Sequence, residues 1–241
     1  VRKVDADYYT DAMTYTNVRV IDSFDNHNES GVIVEHGEVQ VVRKVVGYKK
    51  IKFYTSENLG YGDVNLPEKD MHTTSYWFTI PRDPLRKLEF TPAEIIDGLS
   101  ALAYTLQHLS ALFLMADTHD IDRSLGNKSG EWFVSQGKTG RVITSFNAGR
   151  PEMGDHKTGA RIDEFDPTIF IFDSYPGGIG FSELLYHEHA NLLLAAKILI
   201  EKCPCAYGCP SCVGPTLEVG KTAKDIVPKI IDLVLKGQRK G

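Results

Sequence analysis

The chain has 241 residues, 42% hydrophobic and 24% charged, with a formal charge of −5, enough length for one large domain or two small ones around a sizeable core. A net negative charge gives no global attraction to nucleic acid or to an anionic membrane, so any nucleic-acid surface has to be a local basic patch. The most apolar run, NLLLAAKILI, is short and carries Lys197, which argues against a membrane span and for a buried helix face. The N-terminus, VRKVDADYYT, has neither an initiator Met nor an apolar signal region. That predicts a piece of a longer protein from a reducing compartment, where clustered thiols ligate metal in preference to forming disulfides.

Residues 1–90 read as strands. VRVIDSF and SGVIVEHGEVQVVRKVVGYKKIKFYT are rich in Val, Ile, Tyr and Phe, with Gly31, Gly37 and Gly47 as turn candidates, the pattern of a small antiparallel sheet or barrel. TIPRDPL supplies two prolines and marks a boundary. Thr91, Pro92 and Glu94 then form an N-cap, a proline at the first helical position and a capping-box acid. The helix they open carries an apolar stripe from Ile95 through Leu112 and Phe113 to about Met115. EWFVSQ and RVITSF flank GKTG as a hairpin, and TIFIFD is an interior strand. SYPGGIG leads into a second long helix, Phe181 to Lys202, and TAKDIVPKIIDLVLKG closes with a third, interrupted early by Pro228. The expected class is α+β: an N-terminal antiparallel β subdomain (1–90), then an α/β domain (91–241) with long helices.

All four cysteines fall in CPCAYGCPSC, as Cys203, Cys205, Cys209 and Cys212. The spacing C-x-C-x3-C-x2-C makes two chelating pairs, and a complete set of four thiolates at tetrahedral corners is a closed, structural zinc site. An iron–sulfur cluster and disulfides are the alternatives.

Four further stretches carry chemistry. IFDSYPGGIGF places Asp173 at a strand end before Gly177, Gly178 and Gly180, either a sharp strand-to-helix turn or an anion site made of free backbone N–H groups. It is not a Walker A loop, since no Lys-Ser/Thr follows the glycines. MADTHDIDRSLG brings Asp117, Asp120 and Asp122 together. Asp122, Asp173 and Glu183 could hold Mg²⁺ for a nuclease if they converge, whereas capping, bending the helix end, or pairing of Asp122 with Arg123 or Arg161 is the structural use. VVRKVVGYKKIKFY holds Arg43, Lys44, Lys49, Lys50 and Lys52 interleaved with aromatics and without an acid, which suits phosphate contact and base stacking. A solvated strand edge blunted by lysines is the other reading. YHEHA lacks the i, i+4 histidines of a zincin motif and reads as exposed helix histidines.

Taken in order, VVGYKKI, LPE with TTSYWFTIP, ADTHDIDRSLG, IFDSYPGGIGF and CPCAYGCPSC resemble the C-terminal region of the mitomycin repair factor A (YprA-like) DEAD/DEAH-box helicases, including their zinc-binding domain. The resemblance spans most of the chain. It implies a superfamily 2 helicase that uses ATP to translocate 3′ to 5′ on DNA, serves DNA repair, and binds zinc through cysteines that match Cys203, Cys205, Cys209 and Cys212. The implied partners are DNA, single-stranded or forked, and a helicase core of the same polypeptide, with a cytoplasmic, nucleoid-associated location and no membrane. The chain itself carries no Walker A, no DEAH box and no other ATPase motif. The expectation is a binding and scaffolding module, with the nuclease-like site as its rival.

Overall fold

A computed structural model describes residues 6–29, 31–55, 57–137, 140–147, 150–153 and 165–235. Two long strands, β1 (Tyr8–Glu29) and β2 (Val32–Lys52), pair antiparallel along almost their full length. The inner part of β2 also pairs with β4 (Lys69–Thr79), and its end with β3 (Asn58–Asp63). β9 (Thr168–Asp173) lies between β4 and β5 (Ile121–Gly126), and the sheet continues through β6 (Trp132–Gly137), β7 (Gly140–Asn147) and β8 (Arg150–Met153). The order is β1-β2-β4-β9-β5-β6-β7-β8, all pairs antiparallel, so strands from beyond residue 90 hydrogen-bond directly to β4.

The sheet curls like a barrel. Val20 N–H donates to the Lys128 carbonyl at 3.0 Å, Asn17 to the Gly130 carbonyl at 3.2 Å, and Ser124 to the Thr16 carbonyl at 2.9 Å, which ties β1 back to the β5–β6 connection. Strand alternation gives the sheet two apolar faces. The concave one packs Val18, Val39, Val41, Trp77, Phe170 and Phe172. At its rim the buried Glu35 accepts from Trp77 Nε1 at 2.9 Å and pairs with Lys128. The other face, with Tyr76, Phe78, Ile169 and Ile171, is covered by helices.

Helix α2 (Pro92–Leu114) begins as its sequence requires, with the Thr91–Glu94 capping box formed in full. Its Leu99, Leu102 and Leu106 are fully buried, each contributing about 1.5–3 kcal/mol. The stripe stops short of the expected end: Leu112 and Phe113 are 72% and 42% exposed, and Met115 caps the helix in the left-handed conformation. A short α1 (Arg82–Arg86) occupies the proline-marked boundary, and a second short helix, α5 (Thr216–Val219), follows the cysteines. Helix α6 (Ala223–Leu235) runs through Pro228 instead of breaking there, because Ile226, Val227, Ile230, Ile231 and Val234 are all fully buried against the common core.

Three further expectations are corrected. Gly37 and Gly47 are not turns but lie within β2 beside β-bulges, where a Cβ would come 2.1 Å from the Asp22 carbonyl oxygen and 2.6 Å from Met13 Cε. Gly31 does make the turn, with φ +93°. The long helix after the glycine loop is two helices, α3 (Phe181–His187) and α4 (His189–Lys202), divided at Glu188 (φ −96°, ψ 10°). The break turns His189 inward to 2% exposure, where Nδ1 bonds the Tyr76 hydroxyl and the ring packs on Phe78. His187 stays exposed as expected; His189 does not.

Candidate metal centre

Helix α4 ends at Cys203, whose extended backbone (φ −69°, ψ 126°) and following Pro204 turn the chain off the helix axis. The second pair sits on a tight turn: Cys212 N–H and Gly214 N–H both donate to the Cys209 carbonyl at 3.0 Å, and Cys209 N–H points at Cys212 Sγ at 3.3 Å. The four sulfurs therefore meet. Cys203–Cys205 and Cys205–Cys212 are 3.5 Å apart, Cys209–Cys212 3.6 Å and Cys203–Cys209 3.7 Å, with every pair within 4.8 Å. Zinc–sulfur bonds of about 2.3 Å at tetrahedral angles put sulfurs about 3.8 Å apart. A disulfide needs about 2.05 Å, and all four cysteines are free. A cluster of several irons would spread the sulfurs more widely than one ion does. The donor set and its spacing fit a single zinc ion, which is the cofactor of this chain.

Three helices hold this loop. From α2, the Thr105 hydroxyl donates to the Cys212 carbonyl and the Tyr104 hydroxyl to the Pro210 carbonyl, at 2.9 and 2.8 Å. From α6, Lys224 Nζ donates to the carbonyls of Cys203 (2.6 Å) and Cys205 and lies 3.5 Å from Cys205 Sγ. Cys212 is 2% exposed, and Val213 beside it is fully buried in the core shared by α2, α4 and α6. Burial pushes the Cys212 thiol well up from its ordinary value. At Cys205 burial also raises the thiol, but hydrogen bonds from Cys203, Cys212 and Lys224 outweigh it and bring it down. Four thiolates packed this closely ionise together only around a cation. Sequence reasoning found the ligands and missed Thr105, Tyr104 and Lys224, which lie far from the cysteines along the chain.

The glycine loop is a braced turn. Gly177, Gly178 and Gly180 have φ of 82°, 73° and 91°, backbone that glycine alone adopts freely. Asp173, 1% exposed, accepts from Ile179 N–H at 2.6 Å, Gly180 N–H at 3.1 Å and the Thr74 hydroxyl at 3.1 Å, all on Oδ2. The N–H groups of Ile179 and Gly180 are thus occupied by the protein's own carboxylate.

The carboxylates expected to meet do not. Asp173 pairs across the sheet with the core residue Ile121, whereas Asp122 pairs with Phe172 on the concave face, so the two side chains leave opposite faces. Asp122 is held by Arg43 and by the Arg123 N–H at 2.7 Å. The Arg123 guanidinium instead bonds Gln107 and lies 4.9 Å from the Tyr104 ring centre; Arg161 is outside the described residues. Asp117 and Asp120 hold their own turn and Tyr175. Glu183 is exposed on α3. Among the described residues, the four cysteines are the group of three or more possible ligands close enough for one ion. The nuclease-like reading is thereby disfavoured.

The basic strand divides. Arg43 pairs with Asp122, and Lys44 bonds Glu68 at 3.2 Å, which also accepts from Tyr15 at 2.8 Å. Lys49, Lys50 and Lys52, on the outer end of β2, form no ion pair with a described residue.

Residues 102–213 match the family model described as the MrfA Zn-binding domain, a span from α2 through the cysteine loop. Over 232 residues the chain is 33% identical to the uncharacterized ATP-dependent helicase YprA of Bacillus subtilis, covering 96% of this chain and 26% of that protein. It is 21% identical over 218 residues to the ATP-dependent helicase HRQ1 of Saccharomyces cerevisiae, covering 88% of this chain and 18% of that one. Among solved structures it is similar to the DUF1998 helicase MrfA bound to DNA, with TM-score 0.58, 29% identity, and coverage of 96% of this chain and 26% of that one. The chain spans about a quarter or less of the length of these helicases.

Proposed function

We propose that this chain, which carries an MrfA Zn-binding domain, is the zinc-stapled accessory region of an ATP-dependent DNA helicase that translocates 3′ to 5′ and serves DNA repair. The observation that carries the reading is the thiol tetrahedron tied to α2 by Thr105 and to α6 by Lys224. One ion there fixes the end of α4 against two other helices, so the metal's role is to hold a surface in shape. Four protein sulfurs complete the coordination, leaving no open position for a reacting water.

The surface so held is proposed to contact DNA, single-stranded or forked, and to position the motor. The names of the relatives support this: YprA is described as an ATP-dependent helicase, and the structure of MrfA is of a DNA-bound helicase. The free lysines of β2 supply the local positive charge that a chain of net charge −5 otherwise lacks. ATP binding is assigned to a helicase core in the same polypeptide, in keeping with relatives about four times longer than this chain. A cytoplasmic, nucleoid-associated location follows from a DNA partner and from thiols that must stay reduced to bind zinc.

Elemental analysis of the purified chain, with fluorescence anisotropy on labelled single-stranded, forked and duplex DNA, tests the reading. One zinc per chain and salt-sensitive binding that favours the single strand or fork are expected. A zinc-free protein, or one that is brown with iron–sulfur absorption, removes the structural role. No binding to any of the three DNAs at low salt removes the DNA contact.

A further inference from the structure

The lysines of the β1–β2–β3 ribbon do not form one patch, because directly opposed residues in an antiparallel pair share a face and neighbours along a strand do not. Tyr8 is opposite Lys52, Thr10 opposite Lys50, and Ala12 opposite Tyr48. Across the other edge of β2, Tyr48 is opposite Gly62 and Lys50 opposite Gly60. One face of the ribbon thus carries Tyr8, Tyr48, Lys50 and Lys52, with Glu57 as the carboxylate opposite Lys52 at the turn, where the Lys52 N–H donates to the Glu57 carbonyl at 2.8 Å. The reverse face sets Lys49 directly between Asp11 and Tyr61, with Asp63 opposite Gly47 on the same side.

The two-lysine face is also open beside Lys50. A Cβ at Gly60 would meet nothing within 4 Å, whereas at Gly62 it would run into the Tyr48 ring, 2.2 Å from its Cζ. Gly60 leaves the β3 backbone bare opposite Lys50, so another chain can approach closely there, while Gly62 makes room for the Tyr48 ring. Lys50 Nζ lies 5.5 Å from the Tyr8 ring centre, which keeps cation and aromatic side by side. Lys50 and Lys52 are two residues apart on a strand, about 6.6 Å, close to the separation of neighbouring phosphates in an extended single strand. The ribbon's tip adds Phe53, 43% exposed, and Tyr54, fully exposed and held at φ +67°, a conformation a bulky residue adopts only at a cost.

We propose that this face, with two lysines to one carboxylate against one lysine to two on the reverse, binds a single strand of nucleic acid, Lys50 and Lys52 taking consecutive phosphates while Tyr8 and Tyr48 offer ring surface to the bases. The proposal rests on the DNA reading above and narrows it to one face. Lys49 is on the wrong side, and Arg43 and Lys44 are committed to Asp122 and Glu68. Base–aromatic stacking is tolerant of sequence, so the face selects single strands with unstacked bases and reads no particular order.

The test is anisotropy with a labelled oligo-dT strand and an abasic strand of equal length, across a salt series, on the full 241-residue chain. The variants are Lys50→Gln/Lys52→Gln, Lys49→Gln and Tyr48→Leu, each checked for unchanged melting temperature and zinc content. The double variant is expected to lose about tenfold or more in affinity and to flatten the log–log salt slope by about 1.4, two phosphates at about 0.7 each. Lys49→Gln should bind like the parent. Tyr48→Leu should weaken oligo-dT binding and leave the abasic strand unaffected. Equal losses from Lys49→Gln and the double variant overturn the face assignment while leaving the DNA reading standing. A parent that binds oligo-dT with all three variants unaffected places the DNA contact elsewhere and sinks the proposal alone, whereas a parent that binds neither strand at low salt removes both.

Discussion

Asp173→Asn separates a brace from a catalytic carboxylate. In the parent, Oδ2 accepts three hydrogen bonds, from Ile179 N–H, Gly180 N–H and the Thr74 hydroxyl, at 2.6, 3.1 and 3.1 Å. Asn keeps one oxygen, which can still face the two amides, but it is neutral, and its NH₂ group has to be placed in a site 1% exposed. A hydrogen bond to a charged group contributes about 1.5–3 kcal/mol against about 1 for a neutral one. Weakening two amide bonds and disturbing the third should therefore cost about 2–4 kcal/mol. For a domain of this size about 1 kcal/mol moves the melting temperature by about 2–4 °C, so a fall of roughly 5–15 °C is expected, with zinc content unchanged. Circular dichroism melts of both proteins, run beside a Mg²⁺- and Mn²⁺-supplemented DNA cleavage assay, give the answer. An unchanged melting temperature together with parental cleavage that disappears in the variant would refute the reasoning and restore the nuclease reading.

The same geometry sets three further expectations. Lys224→Met keeps the aliphatic stem but removes the donor to the Cys203 and Cys205 carbonyls and the cation beside a zinc–thiolate centre of net negative charge. Zinc affinity in a chelator competition should drop about 10- to 100-fold, and an unchanged affinity would show that Lys224 is only a surface contact. Gly178→Ala puts a methyl group 2.0 Å from Thr74 Oγ1 at a residue with φ +73°, so it should be more damaging to the melting temperature than Gly177→Ala, where the space is open; equal effects would mean that φ alone matters. Burial, then the neighbouring His27, lowers His189 from 6.5 to about 3. The unfolded chain therefore binds a proton that the folded one refuses between those values, and stability present above about pH 6.5 should decline by about 1.4 kcal/mol per pH unit as the pH falls through that window. The parent and His189→Gln, compared by urea unfolding between pH 7 and 5, should converge on acidification if this is right and keep a constant gap if it is not.

The metal ligands were legible because all four lie within ten positions and their chemistry is local: pairs of thiols on short turns can reach one ion whatever the rest of the chain does. The α2 capping box was legible for the same reason, since Thr91 and Glu94 complete it between themselves. What the sequence hid is what depends on register. VVRKVVGYKKIKFY is a single basic run as text, but the extra residue in β2 between Val45 and Gly47 and the period of two along the strand decide which lysines share a face. Arg43 found Asp122 only because β2 and β5 lie across the same concave face, 79 residues apart along the chain. His189 was hidden by a one-residue break at Glu188, for which no proline or glycine gives notice. These cases share a consequence for the mechanism. A zinc ion can staple the cysteine loop without any help from the β-ribbon, so the metal site by itself implies no DNA contact. The link between them is the common core: Cys212 and Val213 pack into the cluster that also holds Tyr76 and Phe78 of β4, and β4 pairs with β2 from Ile33 to Arg43, just short of the lysines. Loss of zinc should then reach the ribbon only through β4, as a loosening of the inner sheet, and leave the lysine–tyrosine face intact wherever β1 and β3 still hold β2.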